Sequence, residues 1–218
     1  TIKLLERNGA NPVAKSNVPE WAGGHTFNPV HGLTRNPWDI SKSAGGSSGG
    51  SASALASGQV FLATGNDLGG NLRTPAGFNG VVGLRPSPGL IPRGDRYMPF
   101  DTLWVEGPMA RTVEDIALML DCMVGHDIGD PLSFKSKTVF FIESLKKDLK
   151  PISIAVSEDL NLVPVDSEVR KVFRTVTNNL SKHGIEINDD IPDFSGVLDA
   201  FKTCLLYTSP SPRDRQKS

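Results

Sequence analysis

Between Gly45 and Pro75 the chain reads GGSSGGSASALASGQVFLATGNDLGGNLRTP, two glycine-rich turns joined by a run of small, helix-like residues. No other stretch constrains the fold as tightly. Small side chains let backbones approach closely, and glycine turns can gather backbone N–H groups and hydroxyls at one point. The stretch is therefore a candidate active site. GGSSGG alone would read as a flexible linker. A linker, however, has no use for the Ala/Leu connector or for a second turn ending in arginine and proline. A phosphate-cradling loop is set aside, because neither GxxxxGK[ST] nor GxGxxG before a helix is present.

Length and composition set the class. With 218 residues, 38% apolar and 22% charged, the chain is an ordinary globular protein with enough sequence for a substantial core. A formal net charge of -1 gives no global electrostatic reason to expect nucleic acid or an anionic membrane as partner. Small neutral molecules remain, and the oligomeric state is not readable. Cys122 and Cys204 lie far apart, which argues against a disulfide framework or a CxxC site. His25, His31, His126 and His183 lack the close spacing of a helical metal pair, so neither metal nor cofactor is expected. No apolar run approaches the roughly 20 residues of a membrane span, and a soluble, cytoplasmic protein is expected. The chain opens at Thr1, without Met, inside a helix-like segment, which reads as loss of an upstream part.

The flanks predict a helix over Thr1–Arg7 stopped by Asn8-Gly9, and a short buried strand at Pro12-Val13-Ala14. Asn17–Ser43 is rich in turn formers with Trp21, Phe27 and Trp38 interspersed, and reads as an ordered surface loop pinned by aromatics. Gly80–Pro86 is a short apolar run. Thr112 caps a helix that carries Glu114 and Asp115 at its positive end, repeats Ile116, Leu120 and Met123, and ends near Val124-Gly125. A Val139–Ile142 patch lies in lysine-rich text. Further on, Ile152–Val156 as strand, Glu168–Lys182 as helix capped by Asp166 or Ser167, and Ile185–Ile187 as strand form an α/β unit. Trp21, Phe27, Trp38, Phe78 and Trp104 are expected as loop anchors and core, Cys122 as a small core residue, and His31 and His126 as structural or solvated. From Cys204 to Ser218 the style breaks. CLLYTSPSPRDRQKS resembles translated sequencing-adapter read-through and is expected not to pack, leaving 1–203 as the domain and 204–218 as a tail; a disordered basic tail is the alternative.

The run GGSSGGSASALASG, followed by DLGGNLRTPAGFNGVVGLRPSPG, resembles the amidase signature family of serine hydrolases. AKSNVPEWA and NPVHGLTRNPWD upstream and GPMARTVEDIALML downstream extend the likeness over most of Thr1 to about Ile191. The resemblance implies an α/β fold, a mixed β-sheet flanked by helices, here a partial domain. It also implies cofactor-free cleavage of a small-molecule carboxylic amide by a nucleophilic serine, a relay serine after a cis peptide bond, and a lysine held neutral by burial. Carried onto this sequence, the relay is Ser47 with Ser48 beside it as a supporting donor. The turn Leu68, Gly69 and Gly70 offers N–H groups to the oxyanion, and the nucleophile position is 71. Asp67 and Arg73 flank the turn and are expected to fix its shape by ion pairing.

Two departures follow. Position 71 is Asn71, which has no ionisable hydroxyl, and the family's lysine segment lies upstream of anything present, with neither Lys3 nor Lys15 in its context. The expectation is an amidase-family hydrolase whose present copy does not turn over. A catalytically silent binding or scaffold protein on the same fold is the alternative. Asn71 is either a one-base change from a serine codon or the native residue. Within the family, a stand-alone amidase is favoured over the amide-hydrolysing component of a transamidation complex.

Overall fold

The computed structural model describes residues 1–95, 98–135, 140–147 and 152–208. It divides into two compact units, Thr1–Lys146 and Lys147–Ser218.

The first unit opens with α1 (Ile2–Arg7), stopped at Asn8 with Gly9 at φ +89°. Pro12-Val13-Ala14 is not a strand. Val13 is 73% exposed and no neighbouring strand pairs with it among the described residues, while Pro12 lacks an N–H to donate. The turn-rich segment that follows holds two short antiparallel hairpins, β1 (Phe27–Asn28) with β2 (Gly32–Leu33) and β3 (Arg35–Asn36) with β4 (Asp39–Ser43). Its aromatics do not form core, since Trp21 and Trp38 are 85% and 74% exposed. Trp38 nevertheless anchors the second hairpin, donating from Nε1 to the Asn79 carbonyl at 2.8 Å.

A three-stranded antiparallel sheet follows, with β7 (Val105–Ala110) between β5 (Leu62–Asp67) and β6 (Val82–Gly83). Three helices pack with it: α2 (Gly49–Ala56), α3 (Arg73–Asn79) and α4 (Val113–Met123). Leu62 pairs with Ala110 and Ala63 with Met109, so Leu62 and Met109 point to opposite faces of the sheet. On the Met109 face, Ala52 and Leu55 of α2 meet Leu72 and Ala76; the other cluster joins Leu5 of α1, Ile91 and Met119, Leu120 and Met123 of α4, with Leu62 and Cys122 against it. Thr112 caps α4 as expected, its Oγ1 accepting from the Asp115 N–H at 3.1 Å. A short helix, α5 (Phe141–Ser144), closes the unit, while Val139 falls outside the described residues.

Strand β5 and helix α3 were not expected. LATGND has little intrinsic strand preference and becomes a strand by pairing over its whole length with β7. Helix α3 carries Pro75 in its first turn, where a backbone N–H has no intrahelical partner and proline is tolerated.

In the second unit β8 (Ser153–Ala155) and β9 (Glu186–Asn188) pair in parallel, joined through α6 (Ser167–Lys182), the strand–helix–strand order read in the sequence. Asp166 caps α6 by accepting from Glu168 N–H at 2.8 Å. Arg170 bridges Glu158 and Asp159, and Arg174 pairs with Glu158 and Asp189. Helix α7 (Val197–Thr208) runs through Cys204, across the boundary drawn there; the tail beyond Thr208 lies outside the described residues. Among the described residues no helix is long and apolar enough to cross a membrane.

Leu72 is fully buried where α2, α3 and β7 meet and is the residue that follows Asn71. Leu72→Ala is expected to lower the unfolding free energy by about 2–5 kcal/mol, because the cavity cannot fully collapse between three elements. Urea unfolding checks this, and a change below about 1 kcal/mol would show that the site turn is not anchored through this side chain.

Candidate active site

The two glycine turns converge. The Gly46–Ser47 peptide is cis and precedes α2, and residues Asp67–Gly70 join β5 to Asn71. Their backbones are tied directly, with the Ser48 N–H donating to the Asn71 carbonyl at 3.2 Å.

The first turn is held by a residue that the sequence does not single out. Thr26 is fully buried, donates from Oγ1 to the Ser47 carbonyl at 3.0 Å and accepts the Gly49 N–H at 2.9 Å. The hydroxyl thus clamps the backbone on either side of Ser48, and the Thr26 N–H, donating to the Gly45 carbonyl at 3.1 Å, holds the chain ahead of Ser47. Gly46 is required by contact: a Cβ there would sit 2.2 Å from the Gly24 carbonyl oxygen. Ser48 reaches β5, where its Oγ accepts from Asn66 N–H at 3.2 Å and donates to Asn66 O at 3.4 Å. Beside it a Cβ on Gly65 would come within 2.8 Å of Ser48 Oγ, so the bare backbone at 65 is what admits the serine.

The second turn is built around Asp67, whose side chain is fully buried. Gly70 N–H donates to Oδ1 at 2.7 Å and Leu72 N–H to Oδ2 at 3.3 Å. Arg73 approaches with Nε 2.9 Å from Oδ2 and Nη2 3.1 Å from Oδ1, the ion pair expected from the sequence. Arg85 is a second cation that the sequence reading missed. Its Nη1 lies 3.3 Å from Oδ1 and also donates to the Asp67 carbonyl, while Nη2 donates to Leu103 O at 2.8 Å. Burial pushes the Asp67 carboxyl up, but the hydrogen bond from Arg73, the Gly70 N–H and the Arg73 charge outweigh it and hold the group below its ordinary value. The same hydrogen bond raises Arg73.

Where the turns meet, Ser47 is 1% exposed and its Oγ faces two amides. It donates to Asn66 Oδ1 at 3.4 Å and accepts from Asn71 Nδ2 at 3.0 Å. Asn71 Nδ2 also donates to the Ala22 carbonyl at 3.1 Å, and Asn71 Oδ1 accepts from Gly69 N–H at 3.3 Å. Of the N–H groups expected at the oxyanion, Gly70's is therefore committed to Asp67 and Gly69's points at Asn71; Leu68 is the remaining turn residue. Ala22 belongs to the turn Glu20–Ala22, where both Trp21 and Ala22 have positive φ, 56° and 53°. Among the described residues no lysine is hydrogen-bonded to Ser47, and no group of three or more His, Cys, Asp or Glu is placed to hold a metal ion.

A sequence profile of the amidase family matches residues 1–217. A glutamyl-tRNA(Gln) amidotransferase component from Lactiplantibacillus plantarum is 40% identical over 188 residues, 86% of this chain and 38% of that protein. A bacterial aryl acylamidase of the amidase signature family superposes with a TM-score of 0.85 at 28% identity, covering 95% of this chain and 44% of that one. A 6-aminohexanoate cyclic dimer hydrolase, solved with its substrate, gives 0.84 at 30% identity, covering 93% and 44%. The chain thus spans about two fifths of the length of these relatives.

The depressed Asp67 carboxyl sets a pH dependence. Its contribution to stability is present above the unfolded value of about 3.9 and is lost as pH falls through the lower folded value. Asp67→Asn should cost about 3 kcal/mol at pH 7, the low end for a broken buried pair because Arg73 is 56% exposed. The gap between the two proteins should narrow steadily below about pH 4 in denaturant unfolding. A gap that stays constant down to about pH 2 would count against the carboxylate as the organiser of the turn.

Proposed function

The chain belongs to the amidase family, and on that premise we propose that it carries the site of a hydrolase cleaving a carboxylic amide to acid and amine through an acyl-serine intermediate, silent in this copy because position 71 is asparagine. One observation carries the reading. Ser47 Oγ lies 3.0 Å from the side-chain nitrogen of residue 71, so the relay position and the attacking position are already hydrogen-bonded to each other.

With a serine at 71, its Oγ would attack the amide carbon while its proton passes to Ser47, which hands its own proton to a base. The resemblance assigns that base to a lysine kept neutral. Collapse of the tetrahedral intermediate breaks the C–N bond, the amine leaves with a proton, and water then releases the acid by the reverse sequence. The Gly69 N–H, now on Asn71 Oδ1, is the turn donor that a change at position 71 would release toward an oxyanion; one such donor is worth on the order of 3 kcal/mol. Asparagine cannot replace the serine, because its nitrogen lone pair is delocalised into its own carbonyl and there is no hydroxyl proton to pass on.

Stand-alone hydrolysis is favoured over a role within a tRNA-linked complex. The net charge of -1 gives no global electrostatic reason to expect nucleic acid as a partner. A second reading, a silent protein that binds amides or a partner on the amidase fold, is favoured by the full hydrogen bonding of the Asn71 carboxamide, which sits as a settled residue.

The two readings separate on Asn71→Ser in the full gene product, assayed on a small aryl amide by release of the arylamine and by labelling with a fluorophosphonate. The asparagine form is expected to show neither, and the serine form both. A serine form that stays inert and unlabelled would reject the enzyme in favour of the binding protein.

A further inference from the structure

The Asn71 side chain is itself a primary carboxamide, and each of its polar groups has a partner. Both Nδ2 hydrogens are used, one on the Ala22 carbonyl at 3.1 Å and one on Ser47 Oγ at 3.0 Å, while Oδ1 receives the Gly69 N–H at 3.3 Å. The orientation is unambiguous. A backbone N–H can only donate and a backbone carbonyl only accept, so exchanging oxygen and nitrogen would set like against like at both ends.

From this we infer that Ser47, Ala22 and Gly69 form a receptor for a primary carboxamide and that Asn71 occupies it as a built-in ligand, closing the site to external amides. The inference rests on the reading of this site as amide-binding and adds the class of amide and the device that blocks it. A primary amide presents two N–H donors and a carbonyl acceptor, the complement of these three groups. An N-substituted amide loses one donor and adds bulk on the side of Ala22 or Ser47. A carboxylate would turn an anionic oxygen toward the Ala22 carbonyl, an acceptor facing an acceptor. The receptor is backed from outside: Thr26 holds the chain before Ser47 through its N–H on the Gly45 carbonyl and after it through its Oγ1 on the Ser47 carbonyl and the Gly49 N–H, and Gly69 is held by the turn that Asp67 grips.

Asn71→Gly vacates the volume of one acetamide molecule, which makes acetamide the natural probe. In the isotope-labelled Gly variant, acetamide is expected to shift the Gly69 N–H resonance saturably, with a dissociation constant on the order of millimolar for so small a ligand. N-methylacetamide should bind about tenfold more weakly, as expected for the loss of one hydrogen bond, and acetate should give no saturable shift. The unsubstituted chain, with Asn71 in place, should show no saturable shift with any of the three. No shift in the variant, an equal shift in the unsubstituted chain, or equal affinity for acetamide and N-methylacetamide would each overturn the inference. Should the variant not fold, the unsubstituted chain decides. Its Asn71 side-chain NH2 protons should exchange with water at least about tenfold more slowly than those of the exposed Asn161, and equal rates would overturn it. Binding is read here without turnover, so inert Asn71→Ser together with acetamide binding would remove the hydrolase reading alone.

Discussion

The site depends on one buried carboxylate. Asp67 ends a sheet strand, is sealed from solvent, and collects two arginines and the N–H groups of the turn that follows it. A lone carboxylate in that position would be too costly to bury, so the turn must wrap around it and both guanidinium groups must come to it. Arg73 brings the first turn of α3, and Arg85 brings the segment after β6. The path of residues 68–72 is what remains once those demands are met, and residue 71 is carried to Ser47 as a result.

The partner turn is held by a different means. Helix α2 begins with buried Gly49, Gly50, Ser51 and Ala52, a stretch whose two glycines disfavour a helix and are there because nothing larger fits. A Cβ on Gly50 would lie 2.3 Å from the Asn17 carbonyl oxygen, as the one on Gly46 would crowd Gly24. Backbone therefore meets backbone around Ser47, with Thr26 bridging the two sides. One turn is positioned by charge and the other by close packing, and the serine stands where both meet.

Much of this was legible where the cause is local. Thr112 and Asp166 cap α4 and α6 because a side-chain oxygen two or three residues from an unpaired N–H is a sequence-adjacent device, and the Asp67–Arg73 pair spans only one glycine turn. The small-residue run also read correctly as a tightly packed connector. What escaped was long-range. β5 exists because β7 pairs with it from far downstream, Arg85 reaches Asp67 across a fold that had first to bring β6 beside β7, and nothing in the text around Thr26 marks it as the brace of Ser47. A buried carboxylate must be paired and hydrogen-bonded, but nothing in the sequence marks Asp67 as buried, so the second arginine could not be looked for. Trp38 does anchor the loop, through its indole N–H and with its ring exposed, while the expectation of core fails for it and for Trp21, which are 74% and 85% exposed.

The anchoring of Leu72 and Asp67 on either side of position 71 has an evolutionary consequence. Neither anchor draws on the side chain between them, so the two fixed points of the turn stand whichever small polar residue sits there, and the bonds of Asn71 to Gly69, Ala22 and Ser47 are added on top of them. Serine and asparagine codons can differ by a single base, and the two residues are close enough in size for the same turn to carry either. On the proposed reading of the site, one base change in this codon removes or restores the nucleophile while both anchors of the turn stay in place.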